Sequence, residues 1–360
     1  MPFSIRTPLT DMLGCRYPVV QTAMGWIADA RLTAATCNAG GFGFLAGATI
    51  EAGKVEAAIL DVKSRTSSPF GMNFHMFQPN AEEVLEAVIR HKLRAVSYGR
   101  GPDAKTIRRL RDAGVICMPT VGAVKHAIKA VELGADIVTV QGAEGGGHTG
   151  AVPTSILLPQ VLDAVKVPVV AAGGFSDGRG LVAALAWGAA GIAMGTRFLM
   201  TSDSPIPHLS LDRYLATRDP TLIKVSTAAD GMSQRFIENE ELKRLEGMNF
   251  AERLVMSLRY ARQWGKGAGL GAIGMAKLGL KVMSDGDSTF RQTVMAANLP
   301  VMVQKGVVAG DPVNGLLPSG QVAAVIDRLE SCEELIGNIM KQAELRMQAL
   351  AALSAAPTTG

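Results

Sequence analysis

The residue best suited to chemistry lies where the chain has almost no side chains. His148 follows three consecutive glycines in Gln141-Gly142-Ala143-Glu144-Gly145-Gly146-Gly147-His148-Thr149-Gly150. Glycines such as Gly146 let backbone come close to a planar ring and leave the imidazole exposed beside it. An imidazole that titrates near pH ~6.5 can pass a proton to or from carbon close to neutrality, so His148 is the candidate catalytic residue. Of the other histidines, His91 and His126 fall in helical patterns and His208 in a polar stretch, and none has the HExxH type of spacing that a metal site uses. No metal is expected. His75 reads as either a substrate-facing group or a rim histidine, and Glu144 as either a second acid or base or a brace for the glycine loop. No cysteine is well placed for nucleophilic hydrolysis.

Two further clusters suit a phosphate. Gly173 and Gly174 close an apolar run and open a helical pattern, so their N–H groups can approach an anion closely. Gly195 and Thr196 end the next run and can complete the cradle. With no P-loop lysine, a single phosphate cradle favours a mononucleotide such as FMN. Asn73 and Gln141 are amides closing apolar runs, where burial is costly unless they are hydrogen-bonded. Either a flavin ring edge or neighbouring loop backbone would serve as partner.

Positioning these residues requires a repeated plan, and residues 18–198 have one. Eight apolar runs, PVVQTAM, GGFGFLAG, PFGMNFH, RAVSYGR, VICMPTV, DIVTVQG, PVVAAGG and GIAMGTRF, alternate with segments of helical spacing such as NAEEVLEAVIRHK and DGRGLVAALAWGA. Near-continuous apolar character marks strands buried on both faces, hence a parallel sheet covered by helices, an α/β fold. The pattern allows a closed (β/α)8 TIM barrel or a doubly wound open sheet. In a barrel the active site lies at the C-terminal ends of the strands, where the candidate residues fall, and a phosphate is often bound after strands seven and eight.

After Phe198 the pattern changes, giving a barrel over residues 1–205 and a mainly helical cap and substrate region over 206–360. Residues 203–240 read as loop, 241–264 and 332–353 as helix. From Arg253 to Ser284 there is no acid but six bases, Arg253, Arg259, Arg262, Lys266, Lys277 and Lys281. They form either a solvated face or a surface for an anionic tail such as the phosphates of coenzyme A.

The chain has 360 residues, 48% hydrophobic and 19% charged, with a formal charge of +4. This is enzyme-sized and too mildly basic, without basic runs, for a nucleic-acid surface. Gly180 to Thr196 is uncharged but split by glycines, so no membrane span is expected. Cys15, Cys37, Cys117 and Cys332 are scattered, and MPFSIRTPLTDMLG lacks the apolar region of a secretory signal, so a reduced, cytoplasmic protein is expected. The assembly is left open, with a homodimer one option.

The combination QTAMGWIADARLTAATCNAGGFG, PFGMNF, VQGAEGGGHTG, VVAAGGFSDGRG and AMGTRF, spread over residues 7–205, resembles the nitronate monooxygenase (2-nitropropane dioxygenase-like) flavoproteins, which include flavin-dependent enoyl-ACP reductases. The resemblance implies a TIM barrel with non-covalent FMN. It also implies that Ala23, Met24, Asn73, Gln141, Gly146, Gly173, Gly174, Gly195 and Thr196 contact the flavin, and that His148 is the catalytic histidine. Chemistry diverges within the family: oxidation of alkyl nitronates with O₂, reduction of enoyl thioesters by NAD(P)H, and a third branch. The start PVVQTAMGW and the stretch MAANLPVMVQKGVVAGDPVNGLLPSGQVAAVIDRLESCEELI are similar to the FMN-dependent acyl-CoA dehydrogenases of bacterial steroid degradation, which act on hydroxy-indanone-carboxyl-CoA intermediates. An acyl-CoA thioester is the expected substrate.

Overall fold

The computed structural model describes residues 3–76, 78–99, 101–249, 252, 253, 255–257, 259, 260, 295 and 298–354. Each of the eight apolar runs contains a strand: β1 (Val19–Gln21), β2 (Phe42–Leu45), β3 (Gly71–Asn73), β4 (Ala95–Tyr98), β5 (Ile116–Val121) and β6 (Val138–Gln141), then, after a two-residue strand β7 (Gly147–His148), β8 (Val169–Ala172) and β9 (Gly191–Met194). All eight pair in parallel in the order β1-β2-β3-β4-β5-β6-β8-β9, and β9 closes on β1 through Val19↔Ile192, Val20↔Ala193 and Gln21↔Met194. The choice between barrel and open sheet is thereby a closed TIM barrel.

The interior holds Val20, Phe42, Phe44, Met118 and Val170, with Ala95, Ala172 and Ala193 as the small partners that let the larger rings fit. At the N-terminal end the helix Pro8–Leu13 pushes Leu9 and Leu13, both fully buried, into the same cluster and plugs the barrel. Its start is fixed by Thr7, whose hydroxyl caps Thr10 N while Thr10 caps back, and its end by Gly14 at φ +72°.

Seven crossover helices, from Ala30–Asn38 to Gly178–Ala186, surround the barrel, but β9 is followed only by the four-residue helix Thr196–Leu199. The outer position this leaves is taken by the C-terminal helix Cys332–Ser354, which packs on both Gly178–Ala186 and Ala30–Asn38. Leu335, Ile336, Ile339, Met340 and Ala343 form its buried face. At Gly178 a Cβ would stand 2.3 Å from Ile339 O, so glycine is what lets the two helices touch. A buried ion pair between Arg197 and Glu330, with Arg328 Nη2 (2.8 Å) and Asn338 Nδ2 (2.6 Å) also donating to Glu330, ties this C-terminal part to the end of β9.

Residues 203–240, expected as loop, contain the helix His208–Ala216 and an antiparallel hairpin of β10 (Ile223–Ser226) and β11 (Gln234–Ile237). The strands are four residues long and carry Lys224, Gln234 and Arg235, so no apolar run announces them. What holds them is distant: β11 pairs with β7 through Gln234↔His148 and Arg235↔Gly147.

Candidate functional site

Ala23, Met24, Asn73, Gln141, Gly146, His148, Gly173, Gly174, Gly195 and Thr196 all line one cavity of about 430 Å³ at the C-terminal mouth of the barrel. The size suits a cofactor-sized ligand.

One end is built from backbone. Gly173 (φ +96°) and Gly174 (φ +83°) both lie in the left-handed region, which turns the chain sharply after β8. A Cβ on Gly173 would meet Thr154 Oγ1 at 3.0 Å and Gly142 O at 3.1 Å. The helix itself starts later than the sequence suggests, at Gly178, and its first N–H groups are taken by the Asp177 cap, which accepts from Arg179 N (2.9 Å) and Gly180 N (3.3 Å). The anion-binding capacity at this end therefore rests on the glycine loop rather than on a free helix terminus. Thr196 Oγ1 accepts from Gly320 N at 2.8 Å, which leaves its own proton to be donated elsewhere.

Gly320 belongs to a strap from the far end of the chain, whose Pro318, Gly320 and Val322 also line the cavity. Gln321 N donates to Glu144 O (3.0 Å), and a Cβ on Gly146 would stand 2.6 Å from Gly320 N and 2.7 Å from Ser319 C. The strap thus closes directly over the glycine loop. Within that loop Glu144 lines the cavity, and its carboxylate accepts from Thr154 N (3.0 Å) and Thr154 Oγ1 (2.8 Å), which braces the loop. Gln141 Nε2 donates to His148 O (2.9 Å), and Asn73 Oδ1 accepts from Ala48 N (3.3 Å). Both amides therefore have loop backbone as partners.

His148 is held at backbone and ring. Its main chain is tied by Gln141 and by the pairing with β11, while its half-exposed imidazole faces the mouth. The Nε2 atom lies 2.9 Å from Asp230 Oδ2, and the Asp230 side chain is only 3% exposed. Asp230 was missed by the sequence reading. It sits 82 residues from His148, in the polar stretch before β11, where an acid looks like any loop residue. His75 is open to the same mouth, and the crowding protein together with the neighbouring His148 pulls its pKa below the usual histidine value. It is therefore neutral near pH 7.

Part of the cavity lining is apolar, from Trp26 and from Leu299, Pro300 and Val303 of the helix Asn298–Val303. Trp26 has φ +62°, rare for a bulky side chain, and its backbone N–H is fixed by Thr49 Oγ1 at 3.0 Å. Of the basic stretch, Arg253 donates to Met248 O and Glu246 O and Arg259 is exposed, whereas Arg262, Lys266, Lys277 and Lys281 lie outside the described residues. Among the described residues no group of three His, Cys, Asp or Glu side chains could hold a metal ion, and no helix is long and apolar enough to cross a membrane.

A protein of Mycobacterium tuberculosis named (3aS,4S,5R,7aS)-5-hydroxy-7a-methyl-1-oxo-octahydro-1H-indene-4-carboxyl-CoA dehydrogenase is 46% identical, over 97% of this chain and 99% of its own. Its namesake in Rhodococcus jostii is 45% identical over 98% and 99%. The structure of FabK from Thermotoga maritima superposes with a TM-score of 0.79 at 28% identity, covering 97% of this chain and all of the other. The family model for nitronate monooxygenase matches residues 6–97 and 83–342. The chain is an oxidoreductase that belongs to the nitronate monooxygenase family.

Proposed function

We propose that the protein is an FMN-dependent dehydrogenase of an acyl-CoA thioester whose acyl part is a hydroxy-indanone ring system. The observation that carries this is the make-up of one cavity: its lining brings together the glycines Gly173, Gly174 and Gly195, the apolar Trp26, Leu299, Pro300 and Val303, and the imidazole of His148. Near full-length likeness to two proteins named for that CoA thioester supports the choice of acyl group.

The residues fit FMN. Gly173 and Gly195 offer backbone where a Cβ would crowd its neighbours at 3.0–3.1 Å, Gly174 takes a left-handed φ that favours glycine, and Thr196 has a hydroxyl proton to give to a phosphate oxygen. When bound, FMN supplies a two-electron acceptor for hydride. Trp26 and the helix Asn298–Val303 hold the fused rings by burial of apolar surface, which also excludes water from the reacting carbons. His148 would take the proton from the carbon next to the thioester carbonyl. His75, kept neutral, adds no competing charge at the mouth. Four free cysteines suit a reducing cytoplasm.

The test is to mix the yellow holoprotein anaerobically with a steroid-ring acyl-CoA, an alkyl nitronate and NADPH in separate cells. Bleaching by the acyl-CoA is expected, and His148→Ala should slow it about 10²- to 10⁴-fold while the visible spectrum stays that of bound flavin. Bleaching by nitronate or NADPH alone would move the protein to the monooxygenase or reductase chemistry, and a chain that cannot be reconstituted with FMN would overturn the proposal.

A further inference from the structure

Asp230 does not line the cavity, yet its carboxylate is among the most enclosed acids in the protein. Its Oδ1 accepts from Met232 N at 3.0 Å, and its Oδ2 receives Gln234 Nε2 at 2.7 Å and faces His148 Nε2 at 2.9 Å. Among the described residues the only ion-pair partner of Asp230 is His148. Gln234 is the cross-strand partner of His148, so amide and imidazole are set side by side by the register of β11 and β7, and the carboxylate is presented to both from the turn before β11.

We infer that Asp230 is a positioning residue: it accepts the Nε2 proton of His148, so that the imidazole works through Nδ1. An ionised carboxylate is acceptor-only, so the nitrogen facing it must carry a proton. The neutral ring then has its lone pair on Nδ1, the one atom left to take a proton from substrate. The same buried negative charge stabilises the imidazolium once that proton has arrived. No bond to carbon is made or broken by Asp230; the proton moves from substrate carbon to Nδ1, and Nε2–H stays where it is. The other charged groups around the ring leave this role to Asp230. His75 stands across the mouth and is neutral, Glu144 is engaged by Thr154, and Arg235 Nη2 donates to Ala143 O beneath the loop.

This inference uses the acid-base role given to His148 above, so its test has a readout that needs no substrate. In full-length holoprotein labelled with ¹⁵N-histidine, the His148 resonances at pH 8 are expected to show Nε2 protonated and Nδ1 bare. In Asp230→Asn the amide can present N–H to Nε2, and the resonances should change to the opposite tautomer or to a mixture. With the acyl-CoA substrate, kcat should fall about 10²- to 10⁴-fold with KM and flavin affinity changed by less than about threefold. Asp230→Glu should recover part of the rate. A wild-type protein with Nδ1 protonated, or an Asp230→Asn variant with unchanged tautomer and rate, would overturn the assignment. So would a rate loss matched by equal losses of flavin binding and melting temperature. If no acyl-CoA is turned over but the tautomers behave as described, the positioning role stands and the substrate reading fails.

Discussion

Gly146→Ala isolates the contact between the glycine loop and the strap. Gly146 is not in a left-handed conformation, so alanine costs its backbone little, and what the methyl meets decides the outcome. It meets Gly320 N at 2.6 Å and Ser319 C at 2.7 Å, and both are main chain that cannot swing aside. To restore an ordinary contact of 3.4 Å the strap must retreat by roughly 0.8 Å. That displacement stretches two bonds, Gly320 N to Thr196 Oγ1 at 2.8 Å and Gln321 N to Glu144 O at 3.0 Å, to their limits. A net loss of about 1 kcal/mol for each, plus the cost of leaving a buried donor poorly paired, gives about 2–4 kcal/mol. With an unfolding entropy of about 2.1 cal/mol/K per residue, a 360-residue chain should melt roughly 3–5 °C lower. Flavin affinity, followed by fluorescence quenching, should fall about tenfold, the equivalent of ~1.4 kcal/mol, because Thr196 loses the donor that orients its hydroxyl. Gly147→Ala is the control: Gly147 has φ +66° but nothing within 4 Å of an added Cβ, so it should show backbone strain of about 1–2 kcal/mol and near-normal flavin binding. A Gly146→Ala protein that melts and binds like wild type would refute the reasoning. A larger flavin defect in Gly147→Ala would show that backbone conformation, not the strap contact, governs the site.

Glu330→Gln should destabilise the fold by about 3–5 kcal/mol in thermal or urea unfolding, since it leaves the buried Arg197 cation without its counter-charge. Burial pushes the Glu330 carboxyl up, but hydrogen bonds from Arg328 and Asn338 and the Arg197 pair outweigh it and hold it below the usual carboxylate range. A depressed folded-state pKa means the contribution is fully present above the unfolded carboxylate value, about 4.3, and is lost as pH falls through the lower folded value. The gap between wild type and Glu330→Gln should therefore close below about pH 4, and a gap constant down to pH 3 would contradict this. Burial pushes the thiols of Cys15, Cys37, Cys117 and Cys332 up to about 12, so a disulfide reagent at pH 8 should titrate fewer than one thiol per native chain and four after denaturation. Rapid labelling of two or more in the native protein would count against the packing around them.

The barrel was legible because each of its strands is a short apolar run between helical segments, a local signal that needs no knowledge of the partner strand. The glycine and amide positions were legible for the same reason, since they end those runs. Three things were not. The hairpin of β10 and β11 has four-residue strands with charged and amide side chains, and its stabilising partner is the two-residue strand β7 some eighty residues earlier. Asp230 has meaning only once that hairpin has formed. The strap Pro318–Val322 lies in the late stretch that carries the family likeness, but its place over the site arises from a contact with Thr196 across 124 residues. The helix Cys332–Ser354 was expected from its periodicity, but nothing in that periodicity says that it completes the ring of the barrel.

The strap also sets an order of events during synthesis. A nascent chain has all eight barrel strands once Met194 is out of the ribosome, yet the backbone that closes the pocket over Gly146 and Thr196 is Gly320, and the ring's last helix begins only at Cys332. Until those residues arrive the cradle lacks a wall, and the outer grooves of Gly178–Ala186 and Ala30–Asn38 are bare. A chain that ends before Gly320 has no backbone to close over Gly146 and Thr196.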